Sequence, residues 1–413
     1  MANILDYIAW RGDLPLAASP FNEIDALILC QISYLNFDGL LADRDFSELV
    51  TVCDIAERFR NSPDFDVRSD MGALINELTV QLLFDAGASE RYGSIPLAGY
   101  TSIIDKKKEE QFSALSYLLE DKTVFVAFRG TDDTIVGWKE DFNLAIMEEV
   151  PAQADAVQYL EAAAAALRGP LRLGGHSKGG NLAIYAAARA SARTKKRILE
   201  IFNNDGPGFP DAAIQSQDFY EVIPRIRSFY PQFSIVGMLF NHAGEYCVVE
   251  SDQHGLMQHD PFSWHLKGIS FKILDGFDPA SSFFHDTFNS WLNELGVEQR
   301  EAFIETLFRV IQATDAETNS EIEANILQNS VKIIAAVHRL EPELRGTLYR
   351  LVIMLFKIAH KKLPGFKDLL ERNDISVGNA RRRVRDVTER IRGERRRIAE
   401  KIGSAPVKIE PAD

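Results

Sequence analysis

A short glycine-rich stretch contains the residue best suited to nucleophilic chemistry, Ser177. The segment Leu171–Ala183 reads Leu-Arg-Leu-Gly-Gly-His-Ser-Lys-Gly-Gly-Asn-Leu-Ala, so alternating apolar residues lead into a G-x-S-x-G pattern. A helix-forming run from Asn181 to Ala190 follows. This order of strand, tight turn and helix is typical of a nucleophile elbow, in which the flanking glycines accommodate a strained, exposed serine. The alternative interpretation is a tight structural turn.

A serine hydroxyl needs a base within hydrogen-bond reach, and the chain has eight histidines. His176 adjoins the serine, so we interpret it as a packing residue. The loop after the predicted final strand at 246–250 carries His254 and His259, and in an elbow fold the base follows the serine in the chain. We favour His259, with His254 as the alternative. The remaining histidines are weaker candidates or fall in a helical block: His242, His265, His285, His338 and His360.

The base must itself be oriented by an acid, and Asp205 is the preferred candidate. It ends the predicted strand after the elbow helix, and Gly-Pro-Gly follows it. This position places a carboxylate at the same sheet edge as the serine. The next predicted strand, at 225–230, is followed by Pro-Gln-Phe-Ser without a carboxylate. Asp260 adjoins His259, and neighbouring side chains rarely face each other. A turn residue that caps the backbone is the alternative for Asp205.

Donors for the oxyanion that forms on attack are predicted at two places. The strand at 123–128 runs into Arg-Gly-Thr, where a close main-chain N–H and the hydroxyl of Thr131 are suitably placed. The second donor is the N–H of Lys178, immediately after the nucleophile. Without the elbow, Thr131 would simply mark a strand-to-loop transition.

The elements around these residues indicate an α/β fold with a mainly parallel sheet covered on both faces. Residues 1–95 show helical periodicity, with helices predicted at 21–35, 46–58 and 71–84 and Asp70 as the N-cap of the last. Short apolar strands and helices alternate through 96–275. A helical block over 276–363 and a basic helical tail over 364–413 complete the predicted organisation.

Several motifs together resemble a known group. Val126–Thr131 and Gly175–Gly180, with Trp138 and Asp141 between them, resemble the lipase class 3 group of α/β-hydrolases. A closer resemblance, to the bacterial Mbeg-like family related to those lipases, spans about residues 1 to 300. Four segments carry it: Leu5–Asp13, Asn204–Phe209, Ser234–Gly237 and Gln258–Trp264.

The resemblance implies an α/β-hydrolase core with Ser177 as nucleophile, His259 as base, and Thr131 and Lys178 as the oxyanion hole. One departure is clear: class 3 lipases carry their catalytic aspartate before an Ile-Val pair, where this chain has Ser234. Either Asp205 has taken over the role or the triad is incomplete. Lys178 also replaces a leucine usual in the lipases, which puts a charge near the mouth for an acidic substrate or simply toward solvent.

Two further segments invite a functional interpretation. Residues 132–150 carry apolar side chains and stand where a lid would, although an amphipathic helix packed on the sheet fits equally well. Residues 381–401 hold ten Arg or Lys against four Asp or Glu, which suggests contact with a nucleic acid or an anionic membrane surface, or alternatively a solvated helix with i,i+4 pairs.

Composition limits the classes of function. The net charge of −14 argues against general nucleic-acid binding. Three widely spaced cysteines, no signal-like start and no long apolar run lead us to expect a cytoplasmic protein with free thiols. We expect no metal or cofactor, because no cluster of candidate ligands in the sequence has the spacing of a metal site. The oligomeric state is open.

The sequence therefore predicts a serine hydrolase that cleaves a small-molecule or lipid carboxylic ester through an acyl-enzyme. The alternative is a catalytically silent hydrolase fold that serves as a binding or regulatory module. The missing carboxylate at Ser234 is what sustains this alternative.

Overall fold

The computed structural model describes residues 2–72, 75–144, 146–242, 244–279, 281–282, 296–314 and 316–324, with 329, 332 and 336. All of them belong to the first of two compact units, residues 1–352. The basic segment 381–401, most of the helical block, and His285, His338 and His360 lie outside the described residues. The four-part domain division stays a prediction.

Nine strands form the main sheet in the order β1-β2-β3-β4-β5-β6-β7-β8-β11, and β9 pairs with β10 separately. The strands are β1 Val50–Thr51, β2 Pro96–Asp105, β3 Glu110–Leu118, β4 Val124–Phe128, β5 Leu171–His176, β6 Ile198–Asn204, β7 Ile226–Pro231, β8 Tyr246–Val249, β9 Leu266–Lys267, β10 Ser270–Phe271 and β11 Ile273–Leu274. The five strands β4 to β8 run parallel, as predicted. Antiparallel neighbours extend the sheet at both edges.

Parallel pairing brings the chemistry to one edge. His176 at the end of β5 is in register with Asn204 at the end of β6, and Asn204 with Phe229 of β7. Ser177 and Asp205, each one residue past its strand, therefore leave the sheet side by side. The loop after β8 starts from this edge as well, because Pro231 is in register with Val249.

The helices of the described residues are α1 Ile4–Arg11, α2 Glu23–Ile32, α3 Val52–Arg60, α4 Phe65–Arg68, α5 Leu78–Ala88, α6 Ile135–Asn143, α7 Pro151–Ala166, α8 Lys178–Arg189, α9 Ala192–Lys195, α10 Asp211–Ile214, α11 Gln217–Tyr220, α12 Val297–Gln312 and α13 Asn319–Ala324. Capping boxes at Asn3 and Asn22 begin α1 and α2.

Two helix boundaries differ from the prediction. The first residues of the predicted helix 46–58 do not form helix, because Val50 and Thr51 pair with β2, and α3 starts only at Val52. Asp70 accepts a hydrogen bond from the Gly72 N–H instead of capping a helix. Gly72 has φ +69°, outside the helical region, and α5 starts at Leu78.

Side-chain alternation along β4 divides the hydrophobic core into two layers. Phe125 and Ala127 face a cluster that includes the N-terminal helices α1, α2, α3 and α5. Val124, Val126 and Phe128 face a second cluster, with α7 and α8. Successive strand residues point to opposite faces, so each face of the sheet carries its own apolar layer. Helices cover both layers. A largely parallel central sheet with helices on both faces is the architecture of an α/β-hydrolase core.

A third, smaller cluster joins α6 to α12 through Ile135, Ile304 and Phe308. Among the described residues, no helix combines the length and the apolar content that crossing a bilayer requires.

Candidate active site

Ser177 occupies the sharp turn between β5 and α8. Its backbone has φ +57° and ψ −136°, a conformation that a non-glycine residue adopts only at a cost. A Cβ on Gly175 would lie 2.1 Å from the Gly179 carbonyl carbon, and one on Gly179 would lie 2.1 Å from the Phe128 oxygen. The turn thus requires glycine on both sides of the serine, and the half-buried Ser177 lies at the N-terminus of α8.

Asp205 and His259 are in direct contact. The His259 Nδ1 lies 2.5 Å from the Asp205 Oδ2, and the Asp205 side chain is fully buried whereas that of His259 is 24% exposed. Asp205 has φ +53° and donates its N–H to the Phe229 oxygen, which turns the carboxylate back toward the site. His254, the alternative base, is exposed in the preceding loop. Within the described residues the Ser177 hydroxyl makes no hydrogen bond to His259.

Ser234 supports the same carboxylate from the other side. Its hydroxyl lies 2.5 Å from Asp205 Oδ1 and donates to it, and its side chain is buried. A Cβ on Gly237 would lie 2.3 Å from that oxygen, so glycine is needed for the contact. The residue that replaces the expected aspartate of the lipases thus leaves room for Asp205 and binds it. Nothing in the residue pattern around Ser234 predicted this role.

We expect Ser234→Ala to weaken the orientation of Asp205 without removing it. Loss of one hydrogen bond to a buried charged group should lower the free energy of unfolding by about 1–3 kcal/mol. Ser234→Asp should destabilise more, because it would place a second carboxylate against Asp205 in the core. Urea denaturation of both variants beside wild type checks this order. Equal stability of all three proteins would contradict the contact.

The Thr131 hydroxyl donates to Asp141 Oδ2 at 2.6 Å. Since a hydroxyl has a single proton, this bond occupies the hydroxyl that was expected to serve the oxyanion and leaves the Thr131 main-chain N–H as the candidate donor. In the described part of the chain neither this N–H nor that of Lys178 donates a hydrogen bond to another residue. Burial raises the pKa of Asp141 to about 6, although the Lys178 ammonium and the Thr131 hydroxyl favour the carboxylate.

The raised pKa of Asp141 predicts a pH-dependent stability. Between its ordinary value of 3.8 and about 6, the folded protein holds a proton that the unfolded chain releases. This contribution is therefore fully present below the ordinary value and is lost as the pH rises through 6. Asp141→Asn, which cannot ionise, should gain stability relative to wild type across that window. Urea denaturation from about pH 4 to pH 7 measures this difference, with the exposed Asp43→Asn as control; a constant difference would contradict the prediction.

The Lys178 side chain is buried, so the expectation of a charge at the mouth or in solvent is wrong. Its Nζ lies 2.7 Å from Glu140 Oε2 and also donates to the main-chain and side-chain oxygens of Gln111. Glu140 is fully buried and accepts from the N–H groups of Gln111 and Ala152 as well. The lysine therefore fixes α6 against the sheet beneath the site.

Removing one member of this buried pair should destabilise the protein strongly. Lys178→Met leaves Glu140 buried without its cation, and we expect a loss of about 3–5 kcal/mol in unfolding free energy. The double variant Lys178→Met/Glu140→Gln should recover part of it. The control Lys106→Met breaks an exposed ion pair with Glu317 and should change stability by less than about 1 kcal/mol. Chemical denaturation measures the unfolding free energy of each variant. Wild-type stability of Lys178→Met would contradict a buried ion pair.

Within the segment 132–150, Ile135–Asn143 forms the packed helix α6 rather than an open flap. The buried ion pair of Glu140 holds α6 against the sheet. The apolar side chains Ile135 and Phe142 of α6 pack on α12. Of the two interpretations of this segment, the packed helix describes the structure.

His176 does more than pack. Its two ring nitrogens lie within hydrogen-bond distance of the Tyr34 hydroxyl and the His259 main-chain oxygen. His242 Nδ1 lies 2.8 Å from the Tyr230 hydroxyl, and His265 Nδ1 lies 2.9 Å from Glu250 Oε2. Across the part of the chain that the structure describes, no three His, Cys, Asp or Glu side chains form a group that could hold a metal ion.

Fold and elbow together define an α/β-hydrolase. The chain belongs to the Mbeg1-like family, whose model matches residues 86–309, more than half of its length. Among solved structures, M37 lipase is similar at 13% identity with a TM-score of 0.35, covering 54% of this chain and 71% of its own. An MDLA mutant from Penicillium cyclopium is similar at 12% identity with a TM-score of 0.32, and the match covers 60% of this chain and 83% of that protein. The native Rhizomucor miehei lipase propeptide complex is similar at 18% identity with a TM-score of 0.28, and the match covers 43% of this chain and 70% of that protein. No curated protein matches the chain.

Proposed function

We propose that this protein is a serine hydrolase that cleaves a carboxylic ester through an acyl-enzyme on Ser177. The observation that carries the proposal is the contact of 2.5 Å between His259 and the buried Asp205, at the sheet edge where the strained Ser177 stands. Asp205 accepts the Nδ1 proton of His259, which leaves Nε2 as the base. The main-chain N–H groups of Lys178 and Thr131 are the donors for the oxyanion.

The proposed reaction has two halves. In the first, His259 takes the proton of Ser177 as the oxygen attacks the ester carbonyl, and then gives it to the departing alcohol. This step forms the acyl–oxygen bond to Ser177 and breaks the bond to the alcohol. In the second, His259 takes a proton from water, the hydroxide attacks the acyl-enzyme, and Ser177 regains its proton as the carboxylic acid leaves. The proposal requires the contact between Ser177 and His259 to tighten when substrate binds, as catalytic hydrogen bonds commonly do.

Active-site labelling tests the proposal. The purified protein is treated with a fluorophosphonate probe, and the modified peptide is located by mass spectrometry. We expect one label, on Ser177, and none on Ser177→Ala or on heat-denatured wild type. Esters of graded acyl length then separate small-molecule substrates from lipids. A folded wild type that takes up no label would overturn the proposal and favour a silent hydrolase fold that acts as a binding module. The cytoplasmic location stays a prediction.

A further inference from the structure

His176 ends β5 directly before Ser177, and only 5% of it is exposed. Its Nε2 lies 2.9 Å from the main-chain oxygen of His259. A carbonyl oxygen can only accept a hydrogen bond, so the His176 Nε2 carries the proton. The residue beside the nucleophile therefore donates to the backbone of the proposed base.

The other ring nitrogen of His176 faces Tyr34. The Nδ1 lies 3.0 Å from the Tyr34 hydroxyl, which also lies 3.3 Å from the His176 main-chain oxygen. Burial holds the pKa of His176 well below its ordinary value, so the ring is neutral and Nδ1 has no proton. Tyr34, whose own pKa burial raises, thus shares its one proton between Nδ1 and the more distant His176 main-chain oxygen. The His259 oxygen therefore sets the Nε2–H tautomer of His176, and the Tyr34 hydroxyl, in the turn after α2, stabilises it from the other side of the ring.

The loop that carries His259 is held at three consecutive residues. Trp264 Nε1 donates to the Gln258 oxygen at 2.8 Å, and Asn76 Nδ2 donates to the Asp260 side chain at 2.7 Å. Between them, His259 ends the 3₁₀ turn Gly255–His259, and within the described residues its main-chain oxygen accepts a side-chain hydrogen bond only from His176. Without it, the peptide that follows His259 would lose the contact that fixes its carbonyl group beside the nucleophile turn.

From these contacts we infer that His176 is a positioning residue for the proposed base: its neutral ring, oriented by Tyr34, fixes the main chain of His259 while Asp205 fixes the imidazole. The inference rests on the proposed function of His259. It assigns to the residue before the nucleophile, and to a tyrosine from the N-terminal helical segment, a part in aligning the site.

Neutrality is part of this role. The His176 and His259 rings lie 4.5 Å apart between centroids, with 33° between their planes. When His259 accepts the proton of Ser177 it becomes a cation, and a second cation at this distance would oppose the step. A neutral ring in this place holds the backbone of the base without repelling its charged form.

Three variants test the inference through steady-state hydrolysis of p-nitrophenyl butyrate. His176→Phe keeps an aromatic ring but loses the donor, and we expect kcat to fall roughly 100-fold with KM within about threefold of wild type. His176→Gln, whose amide can still donate to the His259 oxygen, should recover at least about tenfold of that loss. Tyr34→Phe should lower kcat about tenfold, whereas the exposed control Tyr220→Phe should not.

A readout without turnover separates this inference from the proposed function. In Ser177→Ala protein with nitrogen-15-labelled histidine, NMR should show His176 as the neutral Nε2–H tautomer between about pH 5 and 8, and Tyr34→Phe should disturb it. A charged or Nδ1–H ring overturns the inference whatever the activity. A folded His176→Phe with wild-type kcat also overturns it. Absence of fluorophosphonate labelling in wild type instead overturns the proposed function, and the positioning role with it.

Discussion

His259→Gln is expected to lower ester hydrolysis by a factor on the order of 10⁴ to 10⁶, because it removes the group that takes the proton of Ser177. Glutamine preserves much of the side-chain volume and a polar end near Asp205, so the fold should be retained. KM should change little, because the lost interaction belongs to the proton transfer rather than to substrate binding. Steady-state kinetics with a p-nitrophenyl ester measure both constants.

His254→Gln is the matched control for this substitution. Both histidines lie in the segment after β8, but His254 is exposed whereas His259 contacts Asp205. We expect the rate of His254→Gln to stay within about threefold of wild type, since surface substitutions away from the site have small effects. A large loss in His254→Gln with normal activity in His259→Gln would assign the base to the other histidine and contradict the site described above.

Asp205→Asn should lower kcat by roughly 10⁴-fold. The amide cannot accept the His259 Nδ1 proton as a carboxylate does, so the imidazole loses the tautomer that presents Nε2 as a base. The variant also leaves the Ser234 hydroxyl opposite a neutral group. Since Asp205 is fully buried, we expect its neutral isostere to fold, which circular dichroism checks.

The comparison with Asp252→Asn tests whether the effect is specific. Asp252 lies at the start of the loop that leads to His259, and its side chain is 53% exposed. Its substitution should leave kcat within about threefold of wild type. Retention of full activity by Asp205→Asn would show that another carboxylate orients the base. Asp205 would then not replace the aspartate that the lipases carry where this chain has Ser234.

The elbow could be predicted because its physical requirements are local. A serine forced into a strained turn needs glycines at Gly175 and Gly179, and the helix and strand around it have their own periodicity. The five parallel strands followed from short apolar runs between helices for the same reason. β2 was not identified because, unlike those runs, it is a ten-residue strand with polar residues.

The environment of Lys178 could not be predicted. A lysine in a glycine-rich loop suggests solvent, whereas this one is buried with Glu140. The partner lies on a helix distant in the chain, and only the packing of α6 on the sheet brings the two charges together. The same holds for Ser234, which shows its role only when Gly237 and the end of β6 are placed around it.

The α/β class, the elbow at Ser177 and the order in which acid and base candidates follow it could all be predicted from the amino-acid sequence. Those features depend on residue type and short-range spacing, which the chain carries without folding. Folding brings His259 rather than His254 to Asp205, places the Ser234 hydroxyl on that carboxylate and turns His176 toward Tyr34 and the His259 backbone. These contacts link residues far apart in the chain, and they exist because parallel strands bring separate loops to one edge of the sheet.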